Sequence, residues 1–160
     1  MNITAKSRYA LKIMMDLSLH EEGGHQQRHN IAVRQGIPLD FMDQVTARLR
    51  SASLIESIRG RSGGFKLSKA SPKISLWDIF QAVEDNLYPV KCLDHEKCAL
   101  EGMCVSIDAW DEVFSILKNE LQKRSLQEVV DKWRQGNTHM DENAPSPITI
   151  CSRPHYGQGS

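Results

Sequence analysis

Three closely spaced cysteines are the most chemically distinctive residues of this sequence. Cys92, Cys98 and Cys104 are separated by five residues each, whereas the fourth cysteine, Cys151, stands alone near the end. Three thiolates on a short loop are well suited to a soft metal centre. Zinc sites usually have C-x2-C pairs and four protein ligands, and this loop has neither. The C-x5-C-x5-C spacing therefore favours an iron–sulfur cluster held by three cysteines and one other ligand.

Other uses of the three cysteines stay open from the spacing alone. A thiol–disulfide switch, a different metal and three inert thiols are all compatible with it. The fourth ligand of a cluster is equally open. His95, Glu96 and Asp108 are near in sequence, and a residue of a partner subunit is a further source.

The segment ahead of the cysteines predicts a helix-turn-helix. Apolar residues at helical spacing indicate a helix over residues 4–19. A short helix around 30–35 ends at Gly36, and a second helix spans about 39–52. Two short helices joined by a tight turn, the second with a polar outer face, form the helix-turn-helix pattern. The apolar face of that second helix comprises Phe41, Met42, Val45, Leu49 and Ala52.

The polar face of the 39–52 helix carries side chains that could read base edges. Gln44 can pair with adenine, and Asp40 and Asp43 can accept hydrogen bonds from the amino group of cytosine. Arg50, and Arg48 at the flank of this face, can reach guanine or a phosphate. Because carboxylates repel phosphate, the two aspartates should add specificity rather than affinity.

A predicted hairpin follows this helix and suits the wing of a winged helix. Two short strands, 54–58 and 65–68, flank the glycine-rich turn RGRSGG. Arg59, Gly60 and Arg61 lie at its tip, where arginine can enter a minor groove. Two alternatives to a DNA-binding wing are a solvated hairpin turn and a winged helix that serves as a protein-interaction module.

The distribution of charge also favours a DNA-binding front half. Residues 1–70 hold 11 Lys and Arg against 6 Asp and Glu, and residues 71–160 hold 9 against 14, although the net charge is zero. A basic unit joined to an acidic one is typical of a DNA-binding domain with an appended unit. The predicted DNA contacts also include Thr4 and Tyr9 in the first helix.

The second half of the chain predicts more helices. Ser75 with Asp78, and Ser125 with Glu128, form capping-box starts of two helices. Between them lies a long helix at about 105–123 with a broad apolar face. The predicted fold class is therefore mainly α with a small β hairpin.

Several classes of protein are disfavoured by the sequence. We find no Ser-His-Asp set, phosphate-binding glycine loop or paired-carboxylate pocket, so we do not expect an enzyme. No apolar run approaches the length of a membrane span, and no secretory signal is recognisable. We expect a cytoplasmic protein that makes no contact with membranes.

Three features together resemble the IscR-like family of winged-helix transcription regulators, in its iron–sulfur cluster-dependent branch. They are the start NITAKSRYALKIMMDLSLH, the block LRSASLIESIRGRSGGFKLSKASPKISLWDIFQAVED, and the C-x5-C-x5-C loop. The resemblance covers about residues 1–133. The wing motif, the following helix and the three cysteines are spaced along the chain as they are in the family.

The resemblance implies a winged helix-turn-helix with a long C-terminal dimerisation helix, and a homodimer bound to a palindromic operator in double-stranded DNA. Cys92, Cys98 and Cys104 would be cluster ligands. Asp43 and Gln44 would read bases, and Arg59 would enter the minor groove. The implied organisation is a DNA-binding domain (1–85), a cysteine-rich cluster-binding loop (86–104), dimerisation helices (105–134) and a disordered tail (135–160).

Two positions depart from the family's pattern of fourth ligands. The iron–sulfur biogenesis regulators of the family have a histidine where this chain has Ile107, and its nitric-oxide sensors have an aspartate where this chain has Arg8. The sequence predicts a homodimeric regulator whose operator affinity is controlled by a [2Fe-2S] or [4Fe-4S] cluster that senses iron, redox or cluster status. The alternative is a cluster-free regulator of the same fold that senses thiol redox state or governs cysteine metabolism.

Overall fold

This computed structural model describes residues 4–60, 62–90, 93 and 104–136. They form helices and one β-hairpin, joined by loops. In chain order the elements are α1 (Ala5–Leu19), α2 (Arg28–Gln35), α3 (Leu39–Ser51), β1 (Ile55–Ile58), β2 (Gly64–Leu67), α4 (Leu76–Val83), α5 (Ile107–Lys123) and α6 (Leu126–Gly136). This order confirms the predicted fold class, with α2 and α3 as the helix-turn-helix and β1 and β2 as the wing. The helix α6 extends two residues into the predicted tail.

The ends of the helices follow local signals in the sequence. The capping box at the start of α4 has both hydrogen bonds, because Asp78 N donates to Ser75 Oγ and Ser75 N donates to the Asp78 carboxylate. Ser125 and Glu128 make the same two bonds ahead of α6. Gly36 ends α2 in the left-handed conformation, at a φ of 61°, which glycine adopts without steric cost.

The core forms around α1, which packs against α3, α4 and α6. Complete burial of a large aliphatic side chain contributes about 1.5–3 kcal/mol to stability. Phe41 and Ala52 are exceptions among the residues predicted on the apolar face of α3, because both are exposed and Ala52 lies just beyond the end of the helix. Phe41 is 39% exposed and meets Tyr9 edge to face, with 5.5 Å between the ring centroids. The large side chains that are fully buried include Ile13, Met14, Ile31, Met42, Leu49, Ile55, Ile74, Ile79 and Leu126.

A buried carboxylate ties α1 to α2. Asp16 is completely buried, and it accepts hydrogen bonds from Arg34 Nε at 3.0 Å, Arg34 Nη2 at 2.6 Å and Gln35 Nε2 at 2.8 Å. Such a fork-shaped contact satisfies a buried charge that would otherwise be costly. Arg34 Nη2 also donates to Gln26 Oε1 at 2.9 Å. The network therefore fixes the position of Gln26, just before α2.

Gln26 in turn docks the wing onto the helices. Its backbone N–H donates to the Phe65 carbonyl at 2.8 Å, and Phe65 N–H donates back at 2.9 Å. The two backbones approach so closely at Gly64 that a Cβ there would lie 2.2 Å from the Gln26 carbonyl oxygen. Residue 64 must therefore be glycine for the wing to dock in this way.

We expect Gly64→Ala to destabilise the protein by about 1–3 kcal/mol, because the new methyl group collides with backbone rather than with a movable side chain. Urea unfolding would measure the loss. Gly23→Ala is the matched control, since the nearest atom to its added Cβ is the Gln26 side-chain nitrogen at 3.4 Å. Equal stability of Gly64→Ala and the unmodified protein would contradict this description of the wing.

Candidate nucleic-acid interface and cysteine ligands

The outward side of α3 carries most of the predicted base-reading residues. Its inward side is buried through Met42, Val45 and Leu49, and the helical period places polar residues on the opposite side. We call this exposed side the recognition face. It comprises Asp40, Asp43, Gln44, Ala47, Arg50 and Ser51, all of which are exposed.

The carboxylate of Asp43 on the recognition face is paired with a residue that the sequence analysis missed. Arg28, the first residue of α2, places its Nη1 atom 2.5 and 2.7 Å from the two Asp43 oxygens. The two residues are fifteen positions apart and on different helices, so no local pattern in the sequence connects them.

The predicted DNA contact Arg48, at the flank of the recognition face, is partly exposed and makes hydrogen bonds with residues at the end of α4. Its Nη1 atom donates to the Val83 carbonyl at 3.1 Å and to Asp85 Oδ1 at 2.7 Å. The hydrogen bond and charge of Arg48, together with the more distant charge of Lys6, keep the pKa of Asp85 below its usual value. In this structure Arg48 therefore joins α3 to the residues that follow α4.

Thr4 also makes internal contacts. Its hydroxyl accepts the Lys6 N–H as the N-cap of α1, and it donates to Glu84 Oε1 at 2.7 Å. The Thr4 N–H and the Ser7 hydroxyl donate to the same oxygen, at 3.1 and 2.6 Å. Partial burial opposes ionisation of Glu84, but the hydrogen bonds from Ser7 and Thr4 outweigh it, so the pKa of this carboxyl is lowered.

Glu84 and Asp85 thus form a junction, which we call the 84–85 junction. It binds the start of α1 on one side and α3 on the other, immediately before the segment that holds the cysteines. Neither residue is predicted from the sequence, because their partners lie up to 80 positions away.

The tip of the wing is exposed where the sequence analysis expected it. Arg59 and Gly60 are exposed, and Gly60 has a φ of 117°, a conformation that favours glycine. A Cβ on Gly63 would lie 2.1 Å from the Ile58 carbonyl oxygen, so this tight turn also requires glycine. Arg61, the other predicted tip arginine, lies outside the described residues.

Of the three clustered cysteines, the structure describes Cys104, whereas Cys92 and Cys98 lie outside the described residues. Cys104 is partly exposed just before α5, and its Sγ atom lies 3.5 Å from Ser106 Oγ. The hydrogen bond from Ser106 lowers the pKa of the Cys104 thiol. A lowered pKa favours the thiolate, which is the form that binds metals.

Among the described residues close in sequence to Cys104, Asp108 has a side chain that can bind a metal. Ile107 begins α5 with an apolar side chain that cannot bind a metal, and Asp108 beside it is exposed. Of the other ligands considered, His95 and Glu96 lie outside the described residues. Within residues 4–60, 62–90, 93 and 104–136, no three His, Cys, Asp or Glu side chains are grouped as a metal site.

One side of α5 has an apolar surface that nothing in the described residues covers. Trp110 is 40% exposed, Val113 46% and Ile116 58%. On its other side the helix packs through Phe114 against Trp77, with 5.8 Å between the ring centroids. We call the surface of Trp110, Val113 and Ile116 the α5 apolar face. Clustered apolar exposure of this kind marks interaction sites.

No helix in the described part of the chain is long and apolar enough to cross a membrane.

Solved structures share this fold. The global cysteine regulator CymR of B. subtilis superposes with a TM-score of 0.67 at 27% identity, covering 82% of this chain and 98% of that one. The IscR of T. potens superposes with a TM-score of 0.69 at 25% identity, covering 88% of this chain and 93% of that one.

Sequence comparison identifies the same group of proteins. The HTH-type transcriptional regulator IscR of Erwinia tasmaniensis is 33% identical over 131 residues, which is 82% of this chain and 79% of that protein. The sequence model of the Rrf2 family, described as iron-dependent transcriptional regulators, matches residues 3–132.

Proposed function

Because the chain belongs to the Rrf2 family of iron-dependent transcriptional regulators, we propose that it binds operator DNA as a homodimer whose affinity is set by an iron–sulfur cluster. Its relatives are named transcriptional regulators, and the chain is a DNA-binding regulator of transcription rather than an enzyme. The proposal adds the cofactor, the oligomeric state and the residues responsible.

The observation that carries the proposal is the position of the two ends of the cysteine segment. The segment begins just after the 84–85 junction, which binds the recognition helix α3 through Arg48. It ends at Cys104, three residues before α5. In this proposal, a change in the segment would act on α3 at one end and on the α5 apolar face at the other. Two sites that share such contacts can be linked energetically.

The proposed ligands of the cluster are Cys92, Cys98 and Cys104. The donor chemistry of Cys104 fits, because its thiol is partly exposed and its pKa is lowered. When bound, an iron–sulfur cluster would supply a group that responds to iron supply and redox state. Arg8 cannot be the fourth ligand, since a guanidinium has no acceptor atom. Asp108 or a residue of the partner subunit is the proposed source.

The α5 apolar face supports the homodimer. Pairing of α5 with the same helix of a second copy would cover Trp110, Val113 and Ile116 on both chains, as an isologous interface requires. A two-fold symmetric dimer presents two recognition faces to two half-sites, so the proposed operator is palindromic.

The proposed DNA contacts fall into two groups. Asp40, Asp43, Gln44 and Arg50 on the recognition face would enter the major groove. The wing tip, with Arg59, Gly60 and Arg61, would approach the minor groove. Three further residues from the sequence analysis have less direct roles in this proposal. Thr4 and Arg48 would position helices through their contacts with Glu84 and Asp85, and Tyr9 would support Phe41.

A cluster-free thiol sensor is the second candidate, favoured by the likeness to the cysteine regulator CymR. In this case two of the three clustered cysteines would form a disulfide on mild oxidation, with loss of two hydrogens from the mass. The two candidates therefore differ in iron content and in the mass of the oxidised chain.

We expect the protein, purified without oxygen, to contain iron and sulfide and to absorb visible light. Cys104→Ala should lose most of the iron and sulfide, because it removes one of the three proposed thiolate ligands. Cys151→Ala is the matched control and should keep both, since Cys151 is outside the proposed ligand set. Iron-free, colourless protein even after reconstitution would contradict the cluster.

We expect the protein to have a mass in solution of twice 18.1 kDa, measured by light scattering. Ile116→Glu should shift the mass towards a single chain, because it buries an unpaired charge in the proposed interface. Ser115→Glu adds the same charge at an exposed position next to it and should stay dimeric. A dimer that survives Ile116→Glu unchanged would show that the α5 apolar face is not the interface.

A further inference from the structure

The ion pair between Arg28 and Asp43 lies at the edge of the recognition face. Its side chains are 44% and 56% exposed, and the Arg28 Nη1 atom is shared between both Asp43 oxygens. Exposed pairs of this kind add little to folding stability. The stability of the fold therefore does not explain why Arg28 and Asp43 form this pair.

The position of Arg28 in its own helix supports this view. Arg28 is the first residue of α2, where no acidic residue occupies the first turn. The N-terminus of a helix carries a partial positive charge and disfavours a cation. Arg28 is thus unfavourably placed for α2, and its one favourable charge contact in the described part of the chain is Asp43 on α3.

The two carboxylates of the recognition face differ in how their charge is balanced. Asp40 lies in the first turn of α3, where the helix dipole favours a negative charge. Asp43 lies one turn further along α3, where the helix dipole has little effect. Its negative charge is balanced by the ion pair with Arg28. With one guanidinium nitrogen shared between its oxygens, the Asp43 carboxylate still has free lone pairs that can accept a hydrogen bond from a cytosine amino group.

We propose that Arg28 is a specificity-determining residue that acts through Asp43, compensating its charge so that α3 tolerates sites with or without cytosine opposite Asp43. The inference rests on the proposed placement of the recognition face in the major groove. Without Arg28, the uncompensated carboxylate repels phosphate and is favourable only where a cytosine amino group meets it. Loss of Arg28 therefore weakens binding and narrows specificity together.

The unmodified protein first selects duplexes from a random-sequence DNA library. The test is then a double-mutant cycle that compares binding affinities for these duplexes and for their single base-pair variants. Arg28→Ala should weaken binding by about 5-fold on sites without the cytosine, and less on sites with it. In an Asp43→Ala background the same change should have less than about a 2-fold effect. Arg28→Lys should remain within about 2-fold of the unmodified protein, because the charge is kept.

Lys132→Ala, which removes an exposed cation from α6, is the matched control and should leave affinity unchanged. If Arg28→Ala weakened binding equally with and without Asp43, Arg28 would be a phosphate contact and the inference would be wrong. Unchanged affinity and specificity in Arg28→Ala would also overturn it. If the unmodified protein enriched no duplex, the proposed DNA function would fail first, and the inference with it.

Discussion

The arrangement of this protein depends on two adjacent carboxylates, Glu84 and Asp85. Glu84 accepts three hydrogen bonds from the first turn of α1, and Asp85 accepts one from Arg48 of the recognition helix. The junction thereby holds the start of α1 and the helix α3 against the end of α4. Because the cysteine segment begins directly after it, this is where a change at the cysteines would reach the DNA-binding face.

Local signals in the sequence were enough to predict the elements. The capping boxes at Ser75 and Ser125, the stop at Gly36 and the glycine-rich turn of the wing each act within a few residues. The apolar periods of α1 and α3 likewise predicted which sides face the core. Since these signals are independent of distant contacts, the winged helix-turn-helix followed from them.

The pairs that assemble the site were not predictable in the same way. Glu84 meets Thr4 across 80 positions, and Arg48 meets Asp85 across 37. Each partner is an ordinary polar residue in its own segment, and only the packing of α1, α3 and α4 brings them together. For this reason Arg48 was predicted as a DNA contact from its position on the helix, and its hydrogen bonds with Val83 and Asp85 were not predicted. The pairing of Arg28 with Asp43 was not predicted for the same reason.

The central claim is that the state of the cysteine segment sets the affinity for DNA. The most direct test is to measure operator affinity on one oxygen-free preparation before and after its iron is removed, with duplexes selected by the protein itself. The account predicts a change of about 10-fold or more between the two forms, within the usual range of coupling between linked sites. Equal affinity of the iron-loaded and iron-free forms would contradict it.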